Sequence, residues 1–224
     1  MPKEASFLAS SIGKKIVMAV TGIMLVGFVV GHMAGNMQLF LPAHGGEHPL
    51  DAYGRFLRTM LHGAGIWIAR GGLLIAAILH VWAAFTLTQM NAAARPVPYK
   101  EVQPQASTFA SRTMRVSGVI VLAFLVFHLL HLTLGKVGPF EEGKVFQNVV
   151  QGFQSPWISG FYILAMACLF GHLRHGVWSM LQTLGLSHPS YNALRDRLAL
   201  GVALLVVGAN ISFPLAVLAG FVKL

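Results

Sequence analysis

An unbroken apolar run, VSGVIVLAFLVFHLLHLTL from Val116 to Leu134, carries His128 deep inside it. At about 1.5 Å rise per residue the run is just long enough to cross a hydrocarbon layer of about 30 Å. An imidazole buried there is costly without a partner, so an intramembrane histidine points to function. The device recurs: His32 lies in VGFVVGHMAGN, His80 in LLIAAILHVWAAF and His172 in ACLFGHLRHGVWSM.

Composition agrees with a lipid environment. Hydrophobic residues make up 55% of the 224 and charged ones only 10%, with mean hydropathy +0.67; soluble domains carry about 25% charged residues. A single cysteine, Cys168, excludes a disulfide framework, a CxxCH attachment site and a self-contained iron–sulfur cluster. The net charge of +9 does not indicate nucleic acid, because the lysines and arginines gather at the ends of apolar runs as interfacial anchors. The N-terminal segment has no short apolar core followed by a small-residue cleavage site, so the first run reads as a retained span.

The expectation is an all-α membrane protein, one domain over 1–224, with spans at about 16–40, 64–90, 116–134, 157–184 and 198–218. The segments between them read as polar loops, and Pro214 predicts a kink in the last span. With the N-terminus inside, nine lysines and arginines (Lys3, Lys14, Lys15, Arg95, Lys100, Arg112, Arg115, Arg195, Arg197) face inward and five (Arg55, Arg58, Lys136, Lys144, Lys223) face outward. That bias places the N-terminus in the cytoplasm and the C-terminus outside.

In this topology the histidines sort by depth. His32 and His128 fall about 9–12 Å below the outer ends of their helices, and His80 and His172 about 15–18 Å above the inner face. Each pair comes from non-consecutive spans. A short repeat runs alongside: Thr21-Gly22 and Ser117-Gly118 each precede a histidine by ten residues from the glycine. This puts Gly22 and Gly118 near the inner pair, while Gly71 and Gly72 fall near the outer one. Small residues at those levels leave room for a flat macrocycle held edgewise, though glycines also serve plain helix packing.

Two facing neutral imidazoles can fill both axial positions of an iron porphyrin, which suits electron transfer and not oxygen binding. Two such haems would stack across the bilayer. Arg70, ten residues outward of His80, and Arg174, two residues inward of His172, are candidate propionate partners. His131 and His175 each lie one turn beyond a proposed ligand on the same helix face; they are candidates for propionate or quinone contacts, or for ligation in their neighbours' place. A packing role is the alternative for any one of the histidines. His44, His48 and His188 read as solvated loop residues, and the tryptophans and tyrosines mostly as an interfacial belt, with Trp67 and Trp157 at belt positions.

SSIGKKIVMAVTGIMLVGFVVGHMAGN, ARGGLLIAAILHVWAAFTLT, ASRTMRVSGVIVLAFLVFHLLHLT and FGHLRHGVWSM together resemble the five-helix, di-haem cytochrome b subunit of succinate dehydrogenases and fumarate reductases. The resemblance implies that His32 and His128 ligate an outer haem b, and His80 and His172 an inner one. It also implies an FAD-carrying flavoprotein subunit and an iron–sulfur subunit as partners, menaquinone or ubiquinone as redox substrate, and a multi-pass place in a bacterial inner membrane. The chain itself would not act on succinate. The inner basic residues Lys14, Lys15, Arg112 and Arg115 suit docking of the iron–sulfur subunit or serve only as the topology signal.

One departure concerns protons. Some di-haem relatives carry carboxylates within the membrane, whereas spans one to five here contain no Asp or Glu. A quinone needs a hydrogen-bonding, proton-exchanging neighbour, and His62 with Arg58 are the outer-side nominees. Rival readings are the cytochrome b subunit of a formate dehydrogenase or hydrogenase, a haem-free anchor, and a proton-coupled transporter. The last would favour broken helices.

Overall fold

A computed structural model describes residues 7–94 and 109–224. Helix dominates those residues, and no strand forms among them beyond one isolated bridge between His44 and Glu47. In chain order the helices are α1 (Ser11–Asn36), α2 (Pro49–Thr59), α3 (Ala64–Ala93), α4 (Phe109–Leu132), α5 (Val145–Phe153), α6 (Pro156–Thr183) and α7 (Asn192–Leu218). Five of them, α1, α3, α4, α6 and α7, are long and apolar enough to cross a membrane. Arg95, Lys100 and the prolines at 96, 98 and 104 lie outside the described residues, as does Lys3.

Several spans extend beyond their apolar stretches. α1 starts at Ser11 because the Ser10 hydroxyl caps it, accepting from Gly13 N–H at 2.9 Å. α4 and α7 likewise begin well before 116 and 198, taking Arg112, Arg115, Arg195 and Arg197 into helix. Hydropathy marks the depth of lipid, not the last hydrogen bond of a helix, so charged first turns were invisible to the span boundaries.

α2 and α5 stand where polar loops were expected. α2 opens with Pro49 at a position where its missing N–H costs nothing, and His48 Nδ1 accepts from Leu50 N–H at 3.2 Å. Asp51 in the first turn and Arg58 in the last complement the helix dipole. The two short helices lie across the same end of the bundle and close it as a cap. Beneath them Leu39, Leu50, Val150, Phe153 and Phe213 form a buried core. Asp51 Oδ1 accepts from Phe146 N–H at 2.8 Å, the His48 ring stacks on Phe146 at 3.7 Å, and Arg55 pairs with Glu47. Burial lowers the His48 pKa below its ordinary value, partly offset by the Asp51 charge.

Between α2 and α3 the backbone turns through Leu61 and His62, both with positive φ (52° and 55°), and then Gly63 at 86°. Two consecutive side-chain-bearing residues in the left-handed region carry strain of order 1 kcal/mol or more each.

α6 is the central strut, packing on α4, α7 and α1, while α1 also packs along α3. The α6–α7 seam uses small residues: Ala199 and Ala203, one turn apart and fully buried, let the helices approach beside Leu173 and Val177. Pro214 lies buried near the capped end of α7. α3 and α4, by contrast, are not closely packed against each other.

Candidate functional site

The four deep histidines fall at two levels. Nearer the cap, His32 of α1 and His128 of α4 bring their rings edge to face with centroids 5.8 Å apart, and His32 stacks on Phe28 at 5.4 Å. Ten residues back along α1 and α4, about 15 Å by the helix rise, are the contacts of the other two. A Cβ added at Gly22 of α1 would sit 3.8 Å from His80 Cε1, and one at Gly118 of α4 would sit 3.4 Å from His172 Cε1. Each glycine therefore faces an imidazole from another helix.

Hydroxyl groups fix which nitrogen is free. Thr21 donates to the Val17 carbonyl at 2.7 Å, so its oxygen is an acceptor for His80 Nδ1, 3.1 Å away. His80 then carries its proton on Nδ1 and leaves Nε2 bare. His128 Nδ1 lies 3.2 Å from the Tyr162 hydroxyl, which also lies 2.9 Å from His131 Nδ1. His172 Nδ1 is buried with no aligned partner. Metal-binding histidines characteristically tie down the nitrogen that does not bind metal. Two imidazoles with centroids 5.8 Å apart also leave about the space that one metal ion bound by a nitrogen of each would take, at roughly 2 Å per bond. The donor sets thus fit bis-imidazole ligation. Among the described residues no three metal-ligating side chains converge.

The neighbouring cations divide. Arg70 lies 5.1 Å over the Trp67 ring and lines a cleft of about 540 Å³ at the capped end, with Arg58, Phe140 and Glu142. At the opposite end a cleft of about 480 Å³ is lined by Thr88, Asn91, Ala92 and Arg115. Both open between α3 and α4, where the helices stand apart. Arg174 instead reaches Asp196 of α7 at 3.5 Å, both side chains well exposed. Two residues along a helix is about 200° of rotation, so Arg174 leaves on the far side from His172. The basic residue bordering the cleft at the uncapped end is Arg115.

His62 is exposed in the strained turn and does not line the cleft that Arg58 borders. His175 stacks near Trp178, with centroids 6.1 Å apart. His131 is only 1% exposed, with its Nε2 buried, unpartnered and pressed against Gly152 of α5. Tyr162, 7% exposed, is the site residue that an interfacial-belt reading passes over. Its place six residues inside α6 was the available signal, since belt residues sit at helix ends; Trp157, by contrast, is 89% exposed.

An all-helical, multi-pass membrane protein with paired deep histidines is the class that fold and site define. A family model describing the succinate dehydrogenase/fumarate reductase transmembrane subunit matches residues 98–210. The chain belongs to that family and is a membrane subunit of this kind. No curated protein and no solved structure matches it.

Proposed function

We propose that this subunit holds two haem b groups, one between His32 and His128 and one between His80 and His172, and passes electrons between an iron–sulfur subunit and membrane quinone. The observation that carries the reading is the edge-to-face pair His32–His128 at 5.8 Å, with Nδ1 of His128 and of His80 each against a hydroxyl. When bound, haem iron supplies reversible one-electron chemistry. The chain orients the imidazoles through Thr21 and Tyr162, clears space with Gly22 and Gly118, and offers Arg70 and Arg115 at the two cleft mouths for carboxylates. Arg58, beside Arg70 in the capped-end cleft, is positioned to donate a hydrogen bond to a quinone oxygen there; His62 and His175 are less well placed. Membership of the family supports flavoprotein and iron–sulfur subunits as the partners, and Lys15 and Arg115, exposed at the uncapped end, suit their docking. The bacterial cytoplasmic membrane is the corresponding location.

Pyridine haemochrome quantitation on the purified protein tests this. The parent should contain two haems per chain, and His32→Ala, His80→Ala, His128→Ala and His172→Ala should each lose one. A haem-free parent, or loss on replacing His131 or His175 but not the neighbouring ligand, refutes the assignment.

A further inference from the structure

The Tyr162 hydroxyl is shared between two imidazoles of α4, and its geometry is more informative than either contact alone. His128 and His131 are one helical turn apart, so both rings face α6. A phenol has one proton to donate. It therefore donates to one Nδ1 and accepts from the other. The ring has no freedom to turn away: Phe124 and Phe153 meet it edge to face at 5.0 and 4.9 Å.

Resting on the haem reading above, we propose that Tyr162 is a positioning residue for His128, with His131 as the acceptor that sets the direction of its hydrogen bond. In this arrangement His128 Nδ1–H donates to the Tyr162 oxygen, and His128 Nε2 is bare for iron. The Tyr162 proton goes to His131 Nδ1, and His131 holds its own proton on Nε2. The reverse arrangement places a proton on His128 Nε2 and closes that nitrogen to a metal. A metal at His128 and the tautomer of His131 are thereby linked through one hydroxyl.

The surroundings of His131 support a fixed and not a solvated partner. Its ring is 1% exposed, its Nε2 has no hydrogen-bond acceptor, and a Cβ at Gly152 would come within 2.5 Å of that nitrogen. Keeping a polar atom buried and unpaired is costly, and here it permits Nδ1 to face Tyr162. The other level lacks this reversibility. Thr21 gives its proton to a backbone carbonyl, which can only accept.

The test uses the intact subunit in its complex, with Tyr162→Phe, His131→Leu and Thr21→Val. Haem content, the midpoint of each haem and the low-spin ferric electron paramagnetic resonance spectrum are read together. A ligand that donates its N–H to an acceptor is the more basic one and favours ferric iron. Tyr162→Phe should therefore retain two haems and shift one about tenfold toward ferrous at fixed potential, a rise of roughly 59 mV for a one-electron couple. Its g-values should move while the second haem is unchanged. His131→Leu should move the same haem by less, and Thr21→Val only the other. Loss of one haem from Tyr162→Phe at unaltered melting temperature also supports the role. Two haems with unmoved midpoints and g-values in Tyr162→Phe overturn it and leave the haem assignment standing. Equal shifts of both haems with a lowered melting temperature mark a packing role and overturn it too. A parent without haem instead removes the assignment on which the proposal rests.

Discussion

The two histidine levels use the same helices and differ in what surrounds them. The level near the cap is roofed by α2 and α5, crowded with aromatic rings, and wired through Tyr162 to a second imidazole. At the other level, among the described residues, no Phe, Tyr or Trp comes within 4 Å of where a Cβ would stand at Gly22 or Gly118, and the Thr21 hydroxyl beside His80 gives its proton to a backbone carbonyl. The contrast shows that a repeated pattern, a small polar residue and a glycine ten residues ahead of a histidine, does not yield repeated chemistry. Thr21 reaches across to His80, whereas Ser117, its counterpart, bonds back to Met114 of its own helix at 3.1 Å.

The sharpest way to break the comparison is by steric load. Gly152→Val adds atoms where a Cβ already lies 2.5 Å from His131 Nε2, and overpacking of this kind costs about 1–3 kcal/mol. Thermal melting in detergent should fall clearly for Gly152→Val and hardly at all for Gly176→Ala, one turn beyond His172, whose Cβ would meet the flexible end of Met114 at an ordinary 3.7 Å. Equal effects would mean that the capped level is no tighter than the other.

A smaller effect follows from removing the Thr21 acceptor. Thr21→Val keeps the side-chain shape and removes the hydroxyl partner of His80 Nδ1, a loss of about 1 kcal/mol. Nitrogen-15 shifts of the His80 ring should report a change in tautomer population with His128 unaffected. An unchanged His80 spectrum would show that the hydroxyl does not set it.

The smallest effect is a pH dependence confined to the cap. Folding lowers the His48 pKa, so the neutral form is favoured by the fold. The stabilisation is complete above the ordinary histidine value of about 6.5 and is lost as pH falls through the lowered folded value. Protonated His48 also cannot accept from Leu50 N–H, and losing such a cap costs about 1 kcal/mol. Protection factors of the α2 amides, taken relative to the intrinsic exchange rate at each pH, should fall below about pH 6 in the parent. His48→Asn, which still caps but does not titrate, should flatten the profile; an unaltered profile would place the dependence elsewhere.

Most of the membrane architecture was legible because lipid imposes one rule, a continuous apolar helix, and the spans obey it. Placing His32 with His128 needed only helix rise and alternating direction. α2 is hidden from a hydropathy reading because three charges among eleven residues mask its apolar positions; Leu50, Tyr53 and Leu57 nonetheless recur at helical spacing. Distance along a helix gives the depth of Arg174 but not its rotation about the axis, which in the structure turns it to Asp196. The Tyr162 network could not be read in advance, since it depends on α4 and α6 being packed in one particular rotation.

The clasp between Asp51 and Phe146 joins residues 95 positions apart. A ribosome adding roughly 5–20 residues per second needs on the order of 5–20 seconds to make the second half after the first has emerged. For that interval α1 and α3 can be inserted with the roof over His32 still unmade. His128 precedes Phe146 by only 18 residues, so that level gains its second imidazole and its roof within about 1–4 seconds of each other.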